Sequence, residues 1–313
     1  MSSKFRLVSS GLMISVLVGA VIGASSAFFS DTETSTGNTF TAGAIDLKVD
    51  SECHYYNYDP NNPDAIQGET PLNGYVEVGC TDETAEFGNW SESDLESGVH
   101  KFFNFTDIKP GDIGEDTISL HVYTNDAWGR LTIDNLTDLD VDCTEPESED
   151  LDDPECITPT PTPGDGELQE ALQFYVWLDQ GSTPGFQNGD PGEPPVPEDS
   201  SEGDNLWQPL DEPVLINPGP INDPSETWNL WEGLSLVYAN TPSCTVEDGH
   251  TDYGLCHGLA ADGRMVGSTT YYFGVGWGLP PETGNEAQGD SFGGDMTFEV
   301  EQYRNNPVPF DGI

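Results

Sequence analysis

The sequence predicts an all-β fold, a jelly-roll-like antiparallel sandwich, and three observations carry that expectation. Its apolar runs are short and are separated by Gly, Pro, Asn and Asp, the punctuation of strands and turns. Two runs alternate cleanly: Ile118, Leu120 and Val122 against Ser119, His121 and Tyr123, then Met296, Phe298 and Val300 against Thr297, Glu299 and Glu301. A period of two gives each of these strands one buried face. Helical patterning is sparse, and two packed sheets suit a chain of this length better than a closed barrel, because the connections are long and uneven.

The N-terminus carries Lys4 and Arg6 followed by an apolar run over residues 11–24 that is broken by Gly and Ser. This is the core of a signal peptide, too short and interrupted for a membrane span, and the small residues Ser25 and Ala27 place cleavage by a signal peptidase after Ala27. An uncleaved anchor is the alternative. The mature chain would then open on Phe28 and Phe29, which need a cover once they have left the membrane. Residues 30–39 form a Ser/Thr-rich spacer, and Phe40, Ile45, Leu47 and Val49 resume a strand rhythm with Asp46 and Lys48 on the other face.

Further strands are expected near residues 45–49, 75–78, 101–105, 117–123, 130–133, 174–178, 214–216, 234–238, 269–276 and 296–303. Asp165 is placed to cap a short helix carrying Leu168, Ala171 and Leu172, and Ser225 another through Trp228 and Trp231 to Gly233. The expected organisation is a leader (1–27), a tethered strand with its spacer (28–40) and one sandwich domain (41–313). Insertions near 143–165 and 181–205 interrupt it, rich in Pro, Gly, Asp and Glu and expected to be exposed.

Eight Lys and Arg stand against 57 Asp and Glu, a net charge of −49 that becomes −51 once the leader and its two basic residues are removed. Such a surface excludes nucleic acid and anionic lipid as partners. Because the acids are scattered between strands rather than gathered in a tail, the composition points to a protein of molar salt, where the Debye length falls to about 3 Å.

Six cysteines in an exported chain suggest disulfides, and local pairing gives Cys53 with Cys80, Cys143 with Cys156 and Cys244 with Cys256. Sequons at Asn89, Asn104 and Asn135 offer N-glycosylation.

Motifs for catalysis are lacking. There is no His-Glu-x-x-His, no Gly-x-Ser-x-Gly and no phosphate-binding Gly loop, and the histidines at 54, 100, 121, 250 and 257 are dispersed. Cys244, His250, Cys256 and His257 match no common zinc spacing, and a disulfide explains the same cysteines. Trp177, Trp207, Trp228, Trp231 and Trp277 could line a sugar groove, although core packing claims tryptophans more often. No cofactor is expected beyond calcium, for which Asp179, Asn188, Asp190 and Glu193 place hard oxygens in a Gly-bearing loop after a strand. A solvated acidic loop is the alternative, since calcium needs about six to eight converging oxygens.

Three patches resemble the TasA/camelysin family. They are Ala27-Phe28-Phe29-Ser30-Asp31 with Thr39-Phe40-Thr41-Ala42-Gly43 and Asp46-Leu47; Ile108-Lys109-Pro110-Gly111-Asp112; and the closing run from Phe298 to Asn305. The two acidic insertions have no counterpart. The resemblance implies secretion through a dedicated signal peptidase, a jelly roll, and head-to-tail polymerisation into biofilm-matrix fibres or archaeal bundling pili. Phe28, Phe29 and Phe40 would belong to a donor strand that completes a sheet of the next subunit. The alternative is a monomeric glycosylated surface protein, with the metalloprotease activity described for some relatives as a remote third reading.

Overall fold

A computed structural model describes residues 34–35, 38–39, 45–58, 75–77, 80, 87–97, 99–141, 143–149, 153–157, 166–186, 199–221, 225–241, 255–306 and 309–310. The chain divides into two units, residues 1–44 and 45–313. In the first, strands β1 (Thr34–Ser35) and β2 (Asn38–Thr39) pair antiparallel, with Thr34 opposite Thr39. Ala27, Phe28, Phe29 and Phe40 lie outside the described residues.

The second unit is an all-β sandwich. Its strands are β3 (Asp46–Tyr58), β4 (Tyr75–Glu77), β5 (Trp90–Ser93), β6 (Ile113–Tyr123), β7 (Ala127–Leu139), β8 (Gln173–Leu178), β9 (Val214–Gly219), β10 (Glu226–Asn229), β11 (Leu255–Cys256), β12 (Leu259–Ala260), β13 (Thr269–Gly278) and β14 (Ser291–Gln302). The large sheet has seven strands in the order β4-β3-β6-β13-β8-β9, with β5 also on β3; the small sheet runs β10-β7-β14; β11 and β12 make a separate hairpin. Every pairing is antiparallel.

Register decides which side chains meet. Val49 faces Leu120, and Leu120 faces Tyr271, so Val49, Ile118, Leu120, Val122, Tyr271, Phe273 and Val275 share one face of the large sheet. They pack against Leu131, Met296, Phe298 and Val300 of the small sheet, forming the main core. Each fully buried side chain of this size contributes about 1.5 to 3 kcal/mol. The Tyr271 hydroxyl is satisfied within that core, donating to the Gly258 carbonyl at 2.6 Å and accepting from the Val266 N–H at 2.6 Å.

Four expectations are corrected. Residues 101–105 are not a strand; Phe102 drops into the main core while Phe103 and Phe105 pack on a second cluster with Trp277. A segment apolar on both sides serves better as a strap between two clusters than as a strand with one wet face. Residues 234–238 are helical, within a helix spanning Leu230–Asn240, because Leu230, Leu234 and Val237 recur at helical spacing and all three are buried. That helix does not begin at Ser225: residues 226–229 pair as β10, and the N-cap is Asn229. The short helix at Leu168–Ala171 is present with Glu167 at its N-cap position, Asp290 Oδ2 accepting the Glu167 and Leu168 N–H groups at 2.6 and 3.1 Å, and Asp165 lies outside the described residues.

The fourth correction concerns the first acidic insertion. Part of it is interior: Glu147 is 0 % exposed, Asp153 2 % and Cys156 0 %. β5 was not foreseen, its four residues being too few to show alternation. Among the described residues, no helix is long and apolar enough to cross a membrane.

Candidate functional site

The resembling patch around Lys109 folds as a tight turn whose chemistry explains its residue types. Gly111 takes φ +97°, open to glycine without a Cβ clash. Asp112 is buried and its Oδ2 accepts both the Lys109 N–H and the Tyr55 hydroxyl, each at 2.8 Å. Backbone bonds from Gly111 N–H to the Leu279 carbonyl (2.7 Å) and from Leu279 N–H to the Asp112 carbonyl (3.0 Å) tie the turn to the segment after β13. Burial raises the Tyr55 pKa, and the Asp112 bond adds to the shift. The turn sets the start of β6.

Among the described residues, two neighbouring sheet edges carry no further strand. β9 ends the large sheet beyond β8, and β10 ends the small sheet beyond β7. Between them opens a small apolar notch, lined by Ile133, Val176, Ile216, Ile221, Trp228 and Met296 among others, with a volume of about 50 Å³. An edge strand presents unpaired N–H and C=O groups, and a notch beside it receives alternate side chains of whatever adds to the edge. Pro218 near the end of β9 limits how far such pairing can run. Nearer the start of β9 the long helix closes the gap, a Cβ built on Gly233 lying 2.9 Å from the Leu215 side chain.

The other face of the large sheet holds a buried carboxylate group around Asp179. Asp179 is 0 % exposed and accepts the Gly203 N–H at 3.0 Å and the Asn205 N–H at 3.3 Å. Glu212, also buried, is hydrogen-bonded to it and accepts the Gly181 and Gln208 N–H groups at 2.9 and 2.8 Å. Thr117 Oγ1 lies 2.7 Å from Glu115 Oε1 and 3.3 Å from Asp179 Oδ2. Desolvation raises the pKa of all three carboxyls; the charge of Asp179 adds to the rise at Glu115 and Glu212, while the bond with Glu212 holds Asp179 down. Backbone N–H groups thus hold Asp179 and Glu212 as a clasp for the 199–212 loop. Asn188, Asp190 and Glu193, the other members of the expected calcium set, lie outside the described residues.

Beside this clasp Tyr175 and Trp177 stack at 5.5 Å, and Trp207 stands 6.0 Å from Tyr175. Trp177 is wholly covered while Trp207 is 42 % exposed, and Trp277 lies in the core. Trp228 lines the notch, and Trp231 packs edge-on against Trp128. The five tryptophans therefore do not form one groove.

Two expected disulfides are present, Cys53–Cys80 and Cys143–Cys156. Cys256 is disulfide-bonded as well, which leaves no thiolate there for zinc; Cys244 and His250 lie outside the described residues. At the sequons, Asn89 Oδ1 accepts the Cys53 N–H at 3.2 Å, Asn104 Oδ1 accepts from Lys101 Nζ at 3.3 Å, and Asn135 Nδ2 donates to Asp295 at 2.9 Å. Asn89 and Asn135 are exposed, and Asn104 is partly buried.

Sequence reasoning missed the edge notch, whose residues come from six strands, and it missed Glu212, separated from Asp179 by a long acidic stretch that gives no periodic signal. No protein-family model and no curated protein sequence matches this chain.

Proposed function

We propose that the chain is a secreted structural subunit that polymerises head to tail into extracellular filaments by donor-strand addition. The observation that carries this reading is the pair of edges, β9 and β10, that bear no further strand among the described residues and flank an apolar notch between the two sheets. A strand laid along either edge gains backbone hydrogen bonds and covers apolar surface at once. The occupant is the segment 28–40 of another copy, with Phe28, Phe29 and Phe40 as its apolar residues and the Ser/Thr-rich tract as its reach. Extended at about 3.3 Å per residue, such a segment spans tens of ångströms. A head-to-tail contact of this kind does not close on itself and so grows a fibre. The jelly-roll connectivity, the cleavage after Ala27 and a cell-surface location belong to the same proposal. Two disulfides in the described fold are compatible with an extracellular site.

Electron microscopy of material secreted by a strain producing the chain without residues 28–38 tests the proposal. The expected result is folded monomer without filaments. Normal filaments from the truncated chain would sink it and return the monomeric surface-protein reading to first place.

A further inference from the structure

We propose that Asn135 is the N-glycosylated residue of this chain, taking an oligosaccharide from a lipid-phosphate carrier, while Asn89 and Asn104 stay bare despite carrying the same kind of triplet. The inference rests on the export part of the proposed function and not on polymerisation. In the transfer, a bond forms between Asn135 Nδ2 and C1 of the sugar as the bond from C1 to the carrier phosphate oxygen breaks. The proton leaving Nδ2 ends on the phosphate.

Backbone geometry sets Asn135 apart. β7 and β14 slip register beside it: Asp134 faces Asp295 and Thr137 faces Gly293, so Asn135 and Leu136 together stand opposite Gly294. This is a β-bulge, which re-aims a side chain out of the regular pleat. Asn135 takes φ +51°, in the left-handed region that Asn enters more readily than other residues with a Cβ. A Cβ on Gly294 would stand 2.8 Å from the Leu136 side chain, so the glycine gives the bulge its room. Asn135 and Thr137, the two residues a transferase reads, are both exposed. Asn135 Nδ2 donates to Asp295 Oδ2 at 2.9 Å and to Asp134 Oδ1 at 3.4 Å, and the Thr137 hydroxyl donates to the Gly293 carbonyl at 3.4 Å. Water can replace these surface bonds.

Access for an enzyme follows from the ladder. The pairing of β7 with β10 ends at Ile133, so among the described residues the stretch 134–137 is laddered to β14 alone. Leu136, the middle residue of the triplet, belongs to none of the buried apolar clusters of the described residues. Lifting the triplet from the sheet therefore breaks few bonds and withdraws no core side chain, which is what cheap local opening requires.

The other two triplets are tied into the fold. At Asn89 both ends of the amide serve the backbone, Oδ1 accepting the Cys53 N–H at 3.2 Å and Nδ2 donating to the Phe87 carbonyl at 3.3 Å. The preceding Gly88 has φ +67°, and a Cβ on it would stand 2.3 Å from the Cys53 Cβ, so this turn is pressed against the Cys53–Cys80 bridge. Asn104 is partly buried between two anchored rings: Phe105 packs on Trp277 at 4.8 Å and Phe103 on Phe174 at 6.3 Å. Presenting either triplet to an enzyme would pull packed groups out of place.

The test is mass spectrometry of the full-length protein collected outside its native cells, compared with Asn135→Gln, Thr137→Ala and Thr137→Ser variants made in the same host. Near-UV circular dichroism in molar salt checks that each variant is folded. The expected result is a glycan mass on the fragment holding Asn135 and none on those holding Asn89 or Asn104. The whole increment should be lost in Asn135→Gln and Thr137→Ala and kept in Thr137→Ser, since the triplet works with either hydroxyl. Should Asn135→Gln fail to fold because Gln resists the left-handed backbone, the Thr137 pair decides, as it leaves Asn135 in place. An exported chain with a bare Asn135, a glycan on Asn89 or Asn104, or a glycan that survives Thr137→Ala would overturn this inference alone. A chain held inside the cell with its leader intact would overturn the export reading and this inference with it.

Discussion

Glu212 is hydrogen-bonded to Asp179 carboxyl to carboxyl, and both side chains are closed off from solvent beneath the 199–212 loop. Two carboxylates in such contact cannot both ionise without strong repulsion, so the folded state holds a proton that the unfolded chain gives up. Folded-state pKa values above the unfolded ones mean stability that is complete below the ordinary carboxylate range of about 4. It is lost as pH rises through the elevated values. Chemical denaturation followed in chelator from pH 5 to pH 9 should therefore show a falling midpoint, and Glu212→Gln should flatten the slope. A midpoint that rises over that window would contradict the shared proton.

Gly274 and Gly276 permit the aromatic layer on the same face. A Cβ at Gly274 would stand 2.0 Å from the Trp177 ring, and one at Gly276 2.2 Å from the Tyr175 ring. Trp177 is too enclosed to swing aside. Gly274→Ala should cost about 1 to 3 kcal/mol through overpacking, read as a lower denaturation midpoint. An unchanged midpoint would show that the ring has room the packing does not suggest.

The Cys53–Cys80 bridge closes a loop of 27 residues against Phe87, in a small cluster apart from the main core. Replacing both cysteines by serine should lower stability by about 3 to 4 kcal/mol on the chain-entropy account. The change is measured by denaturation under non-reducing conditions. The cluster is local, so an intact β6–β13 pairing is expected to survive in the variant, visible as slowly exchanging amides.

The charge predicts salt dependence. With few basic partners for 57 acids, dilution to 0.01 M extends repulsion to about 30 Å. Near-UV circular dichroism should collapse on dialysis from molar to millimolar salt, and a spectrum that does not change would contradict the adaptation to high salt.

Legibility in the sequence followed the strength of the periodic signal. The alternation at Ile118, Leu120 and Val122 located β6 with its core face, and Met296, Phe298 and Val300 did the same for β14. Leu234 and Val237 misled because Leu, Val and Tyr close together suit a strand, while the spacing from Leu230 that makes a helical stripe needs a longer window. Composition misled at Glu147 and Asp153, where acidic residues meant exposure on average but a disulfide-held loop shut them in. The edge notch was beyond sequence reasoning, because Ile133, Ile216 and Trp228 meet only through the order of strands in two sheets.

The central claim is that residues 28–40 of one copy occupy the β9–β10 notch of another. Binding of a synthetic peptide of residues 28–40 to the chain lacking that segment tests it most directly, measured by fluorescence anisotropy against both the parent fold and its Ile216→Asp variant. The account predicts saturable one-to-one binding by the parent and loss of binding when the notch carries a charge. No binding to the parent, or equal binding to the variant, would contradict it.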